Sequence, residues 1–181
     1  MNLPNKLTLL RVIMIPFFVV ILLLEPFGYI SNYVALAIFC VASATDWLDG
    51  YLARRDNLVT NFGKFMDPLA DKLLVSAAMI CLIGRSILPD WVVVIIISRE
   101  FIISGFRLIA SDNGVVIAAS YWGKFKTVSQ MIMIILLLLD LDNPVFNVLE
   151  LVFIVLATVL TVVSLIDYIM KNKKVLSEGG N

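Results

Sequence analysis

Two long apolar segments of the chain are joined by residues 46–71, DWLDGYLARRDNLVTNFGKFMDPLAD. Four aspartates in this stretch have helical spacing: Asp46 and Asp49 are three residues apart, and Asp67 and Asp71 are four apart. On α-helices, residues at these separations share one face. An ionised residue in a spanning helix costs about 2.5–3.5 kcal/mol and is functional by default. The four aspartates therefore predict a functional site where the two segments meet.

The composition predicts that the whole chain is an integral membrane protein. Of its 181 residues, 61% are hydrophobic, against about 45–50% in a typical soluble domain. A spanning helix needs about 20 apolar residues, and turn-forming residues separate six such segments. We expect an all-α domain over 1–170, followed by a polar cytosolic tail over 171–181. The predicted transmembrane helices are 7–24, 33–53, 65–83, 91–110, 123–139 and 145–169.

The distribution of basic residues predicts the orientation of these helices. The connectors near 25–32, 84–90 and 140–144 contain one basic residue, Arg85. Cytoplasmic connectors are enriched in Lys and Arg, so we expect both termini in the cytosol and the aspartates at the cytosolic end of a multi-pass protein of the cell membrane. The basic residues on that side are Lys6, Arg11, Arg54, Arg55, Lys64, Arg107, Lys124, Lys126, Lys171, Lys173 and Lys174.

Carboxylates have to carry any metal or acid–base chemistry, because the chain has no histidine. Four carboxylates in one pocket would attract divalent cations, and oxygen ligands favour Mg²⁺ or Mn²⁺. Two such ions suit displacement at phosphorus. The alternative is that the aspartates lie at the interface and reach water or pair with nearby Lys and Arg. The zero formal net charge gives no argument for a nucleic-acid partner.

The spacing Asp46-x2-Asp49-Gly50-x2-Ala53-Arg54-x8-Gly63-x3-Asp67-x3-Asp71 resembles the signature of the CDP-alcohol phosphatidyltransferase family. The resemblance implies a homodimeric enzyme that moves a phosphatidyl group from CDP-diacylglycerol to a small alcohol. The resemblance also implies that all four aspartates are metal ligands and that Asp71 is, in addition, the general base. It implies CDP-diacylglycerol binding by Asn5, Thr8, Gly50, Ala53, Arg54 and Thr60. For Asn5 and Thr8, a helix N-cap is the alternative.

Two further segments predict the acceptor alcohol. Arg99 and Arg107 are about two helical turns apart, and Lys124 and Lys126 begin the next segment on the same side. Together they would make a basic pocket for a phosphate-bearing acceptor. These segments resemble the bacterial phosphatidylglycerophosphate synthase branch of the family, which implies glycerol 3-phosphate. The alternatives are an ion pair of Arg99 with Glu100, and lysines that only anchor the protein at the membrane surface.

Three other functions compete with this interpretation. A sibling enzyme would use the same motif with inositol phosphate, serine or phosphatidylglycerol as acceptor. A transporter also carries acids within the membrane, but transporters are often built from inverted repeats with acids near the midplane, and the sequence has no visible repeat. A scaffold protein would leave the four aspartates unexplained.

Overall fold

The computed structural model describes residues 3–55, 61–112 and 120–172, which contain six α-helices and no strand. The prediction of an all-α chain is confirmed for these residues. The helices end close to the predicted limits and begin up to four residues earlier. Their bounds are α1 Leu3–Leu24, α2 Ile30–Arg55, α3 Asn61–Gly84, α4 Asp90–Asp112, α5 Tyr121–Leu139 and α6 Pro144–Lys171.

Three of the described helices are long and apolar enough to cross a membrane: α1 over Asn5–Leu24, α5 and α6. In α2, the apolar part Ile30–Asp46 is shorter than a full span. The remaining helices, α3 and α4, are interrupted by charged residues of the predicted site, among them Asp71 and Arg99. The charged residues that predict a function therefore also shorten the uninterrupted apolar stretch of each of these two helices.

The helices α1, α2 and α3 form one compact unit together with residues 137–140. In this unit α1 packs against both α2 and α3. The rings of Phe18 and Phe39 meet between α1 and α2 with their centroids 6.2 Å apart. Small residues allow membrane helices to approach closely, and four alanines on α2 and α3 are fully buried: Ala35, Ala42, Ala70 and Ala78.

The second unit contains α4, most of α5, and α6, with α4 packed against α6. The buried residues of α6 share one helix face, with separations of three or four positions apart from one adjacent pair: Ala157, Thr158, Thr161, Ser164 and Tyr168. The Ser and Thr hydroxyls on this face donate to backbone carbonyls of the same helix; that of Thr161, for example, donates to the Ala157 carbonyl at 2.7 Å. The exposed face of α6 carries large apolar side chains such as Val155 and Val159, which suit contact with lipid.

Three connectors meet in the first unit at a polar cluster, here called the Arg85 clasp, which consists of Arg85, Glu25, Asn32 and Asp140. The Arg85 guanidinium lies 3.0 Å from the Glu25 carboxylate and donates to the Asn32 side-chain oxygen at 2.6 Å. The Asn32 amide in turn donates to Asp140 at 3.1 Å. The only basic residue of these connectors thus ties together the ends of α1, α3 and α5.

Two members of the Arg85 clasp have strained backbones. Glu25 and Asp140 follow the last residues of α1 and α5, and each has a φ of +45°. This left-handed conformation usually belongs to glycine at a helix C-terminus, and it costs other residues about 1–2 kcal/mol. Both residues contact Arg85, whose guanidinium lies 3.0 Å from the Glu25 carboxylate and 3.8 Å from that of Asp140.

We predict that Arg85→Met lowers the free energy of unfolding in detergent micelles by about 1–3 kcal/mol, because it leaves the buried Asn32 amide oxygen without its donor. The matched control is Glu25→Gln. Since the Glu25 side chain is half exposed, that change should cost at most about 1 kcal/mol. Equal losses in the two variants would mean that Arg85 acts only as a surface charge.

Candidate functional site

The two aspartate pairs lie on helices that contact one another in the first unit. Asp46 and Asp49 belong to α2, and Asp67 and Asp71 to α3. Both stretches are continuous helix, as the prediction that each pair shares a helix face requires. The side chains of Asp46 and Asp71 are half-buried. Those of Asp49 and Asp67 lie outside what the structure describes, so a common pocket for all four carboxylates stays a prediction.

The predicted CDP-diacylglycerol residues Gly50, Ala53 and Arg54 lie in the same continuous helix as Asp46. Gly50 and Ala53 lie four and seven positions after Asp46 in continuous helix, close to the 3.6-residue period. Arg54 is the next position along. The structure describes the backbone of these three residues but not their side chains, and Thr60 lies outside the described residues. Their contacts with a substrate therefore stay predictions.

The stretches of α2 and α3 that carry the four aspartates are here called the acidic edge. A buried ion pair joins α1 to it. The guanidinium of Arg11 lies 2.5 Å from the carboxylate of Asp46, and the Arg11 side chain is 0% exposed. Burying a charge is costly unless it is paired and hydrogen-bonded, and the contact with Asp46 supplies an opposite charge to the buried Arg11. The pair fixes one predicted metal ligand from outside the α2–α3 hairpin.

Arg11 belongs to a polar stripe on α1 that includes Asn5 and Thr8. The three residues are spaced by three positions, share one face, and are all buried. Further along the helix the same face continues with the apolar Ile15 and Phe18. Because α1 already includes Leu3, neither Asn5 nor Thr8 is an N-cap, and the capping alternative is wrong. Buried polar residues at the end nearest Asp46 suit the predicted head-group contact, which stays untested.

Sequence analysis assigned Arg11 only to the cytosolic side and did not identify its contact with Asp46. A signal was present in the sequence. Arg11 lies three residues after Thr8, and a cation within the first apolar segment needs a partner. Several acidic residues were available, however, and nothing local to α1 indicates which one is within reach.

Two of the four predicted acceptor residues, Arg99 and Lys126, contact Glu100 in the second unit. The Arg99 guanidinium lies 3.1 Å from Glu100 Oε1, and the Lys126 ammonium contacts the same oxygen. Arg99 Nε also donates to the Ser164 hydroxyl of α6 at 3.1 Å. A Cβ added at Gly123 would lie only 3.3 Å from the Arg99 guanidinium, so the glycine leaves room for this cation. The ion pair of Arg99 with Glu100, one of the alternatives above, is present.

The other two basic residues have a different environment. Arg107 and Lys124 are exposed, and the Lys124 ammonium lies 5.4 Å from the centroid of the Tyr121 ring. This cation–π contact suits a residue at the membrane surface. The structure therefore joins Arg99 and Lys126 through Glu100 and gives no direct contact that adds Arg107 or Lys124 to them. Binding of an acceptor phosphate by any of the four stays a prediction.

Two residues of α6 near this cluster were missed by the sequence analysis. Ser164 is fully buried against Arg99, and Tyr168 is 3% exposed. The Tyr168 hydroxyl has no hydrogen-bond partner within the described part of the chain, although its ring packs edge-on against Phe106. The run of hydroxyl-bearing residues within an otherwise apolar helix was the signal that could have identified this face.

We predict that Arg11→Gln lowers the free energy of unfolding in micelles by about 1–3 kcal/mol. This is less than the roughly 3–5 kcal/mol for breaking a fully buried pair, because the Asp46 side chain is 37% exposed. Lys6→Gln, at an exposed position of the same helix, should shift the value by no more than about 0.5 kcal/mol. A loss at Arg11 no larger than that at Lys6 would contradict a stabilising role of the Arg11–Asp46 pair.

Comparison with known proteins extends over almost the entire chain. Residues 1–163 match the model of the CDP-alcohol phosphatidyltransferase family. The chain is 46% identical to a Bacillus subtilis protein named CDP-diacylglycerol–glycerol-3-phosphate 3-phosphatidyltransferase, with 97% of each chain covered. Relatives of the same name from Haemophilus influenzae and Salmonella typhimurium are 40% and 43% identical. These alignments cover 95% and 93% of this chain, and 94% and 93% of the relatives.

Proposed function

The chain belongs to the CDP-alcohol phosphatidyltransferase family, and from this premise we propose that it transfers the phosphatidyl group of CDP-diacylglycerol to glycerol 3-phosphate. The products are phosphatidylglycerophosphate and CMP. The observation that carries the proposal is near-complete coverage, at 40–46% identity, by relatives named for this one activity. The complete aspartate motif over 46–71 supports the phosphatidyl transfer itself.

The donor set of the acidic edge fits divalent cations. The chain has no histidine, carboxylate oxygens suit Mg²⁺ or Mn²⁺, and the half-buried Asp46 and Asp71 come from helices in contact. We assign the binding of two cations to Asp46, Asp49, Asp67 and Asp71. Such ions, when bound, withdraw charge from phosphoryl oxygens. Arg11 holds Asp46 in place on the side of α1.

Asp71 is the proposed general base. It takes the proton from the acceptor hydroxyl as the hydroxyl oxygen attacks the β-phosphorus of CDP-diacylglycerol. The bond between that phosphorus and the bridging oxygen breaks, and CMP leaves with the electron pair. Arg54, in the same helix α2 as Asp46, is assigned to stabilise the charge on CMP. The donor's cytidine end is assigned to the polar stripe of α1, where Asn5 and Thr8 are buried.

The acceptor's phosphate is assigned to basic residues of the second unit. Arg99 and Lys126 are the stronger candidates, because they are buried and already converge on one anion, the Glu100 carboxylate. A phosphate monoester offers several oxygens to the same donors, and Arg binds it with two parallel hydrogen bonds. Arg107 and Lys124, both exposed, would act at longer range by attracting the anionic acceptor.

We propose a six-span protein of the cell membrane with both termini and the reaction on the cytosolic side. Three described helices have the length and composition of full spans. The connectors that meet at the Arg85 clasp contain only that basic residue, as expected of the outer side. The family resemblance also supports a homodimer.

The proposed reaction predicts that the purified protein, given CDP-diacylglycerol and Mg²⁺, releases CMP when glycerol 3-phosphate is added. The measurement is CMP release with glycerol 3-phosphate, inositol phosphate or serine as the added alcohol, each with and without excess chelator. CMP release with inositol phosphate or serine, and none with glycerol 3-phosphate, would show that the protein has the activity of a sibling enzyme. Full turnover in chelator would contradict the metal assignment.

The base assignment predicts that Asp71→Asn lowers kcat by at least about 10²-fold, the usual contribution of a general base, while CDP-diacylglycerol still binds. Turnover is measured by CMP release and donor binding by equilibrium titration in micelles. The control is Asp90→Asn, an exposed carboxylate in the first turn of α4, which should keep near-normal kcat. A rate for Asp71→Asn close to that of the control would remove Asp71 from the mechanism.

A further inference from the structure

Glu100 connects two buried cations through a single oxygen. Its Oε1 accepts from the Arg99 guanidinium at 3.1 Å and also contacts the Lys126 ammonium. Lys126 is 1% exposed and Arg99 8%. Charges this deeply buried need an opposite charge close by, and two cations so close repel one another. Glu100 is the carboxylate that holds this pair together.

The three side chains differ in accessibility and in their other anchors. The Arg99 guanidinium is also bonded to Ser164 and lies against Gly123, so its position does not depend on Glu100 alone. The Glu100 side chain is 21% exposed and that of Lys126 only 2%. Glu100 is therefore the more accessible side of its contact with Lys126, so an anion from solvent meets this contact on the Glu100 side.

The α6 face that meets Arg99 also carries a buried hydroxyl, that of Tyr168, which is unsatisfied among the described residues. Tyr168 lies about one helical turn after Ser164, the partner of Arg99, on the same buried face of α6, and its hydroxyl makes no hydrogen bond within the described residues. Leaving a buried polar group unsatisfied costs about 1–3 kcal/mol. A ligand that brings acceptor oxygens to this place would satisfy the phenol, whereas the Glu100 carboxylate does not.

We propose that Glu100 is an internal counter-anion that occupies the acceptor's phosphate site and is displaced from Lys126 when the acceptor binds. The inference rests on the proposed function and adds a residue that sets the affinity for the acceptor. The phosphate of the acceptor takes over Lys126 and one edge of the Arg99 guanidinium, and it accepts a hydrogen bond from Tyr168. Without acceptor, Glu100 keeps the two cations together. The acceptor phosphate therefore has to compete with the Glu100 carboxylate for Lys126 and Arg99 each time it binds.

The test is Glu100→Gln, which keeps the shape of the side chain and removes its charge. We expect the KM for glycerol 3-phosphate to fall by about three- to tenfold, with the KM for CDP-diacylglycerol changed by less than about twofold. Inorganic phosphate should also raise the unfolding temperature more in this variant than in the wild type, at matched ionic strength. Asp142→Asn, an exposed carboxylate between α5 and α6, is the control and should leave both readouts unchanged.

A folded Glu100→Gln protein with an equal or higher KM for glycerol 3-phosphate would overturn the proposal and leave Glu100 a structural residue. If this variant does not fold, Glu100→Asp gives the same test. Its carboxylate is one methylene shorter and reaches Lys126 poorly, so the KM should again fall, and an unchanged value overturns the proposal. Failure of the proposed function is separate, because the wild type would then release no CMP with glycerol 3-phosphate, whereas phosphate stabilisation of the two proteins can still be compared.

Discussion

A charge removed from water has to meet an opposite charge, and this constraint organises both units of the protein. The described helices bury three basic side chains, Arg11, Arg99 and Lys126, and each contacts a carboxylate. In a medium of low dielectric constant these contacts determine which helix faces can be turned inward. The helices of each unit are held by apolar packing, but their rotation about their own axes has to satisfy these pairs.

Within an apolar helix, hydrophobicity alone does not separate the inner face from the outer one. Lipid is as apolar as a protein core, so the inner faces are marked instead by small and hydroxyl-bearing residues. The buried alanines of α2 and α3 and the hydroxyl face of α6 follow this rule, while large aliphatic residues such as Val155 are exposed. Close backbone approach then brings polar side chains, such as Ser164 and Arg99, within bonding distance.

In the proposed reaction, clusters of like charge in the protein are neutralised by ions and substrates of the opposite charge. Four carboxylates in a protein without histidine create a need for positive charge, which divalent cations can meet during the reaction. Buried cations in the second unit create a need for negative charge, which Glu100 meets in this structure and a phosphate-bearing acceptor would meet during turnover. Clusters with an excess of one charge can in this way bind the cations and the two anionic substrates that such an enzyme brings together at a membrane surface.

The sequence by itself determined the helical segments, the shared face of each aspartate pair and the family, because these depend on spacing along one helix and on residue identity. The repeat of 3.6 residues per turn places Asp49 beside Asp46 whatever surrounds the helix. Only the tertiary structure decided that Arg11 meets Asp46, that Lys126 shares Glu100 with Arg99, and that Ser164 supports Arg99. These partners are 26 to 65 positions apart. Their contacts depend on the rotation and depth of whole helices, which follow from the packing of many side chains together and from no local pattern.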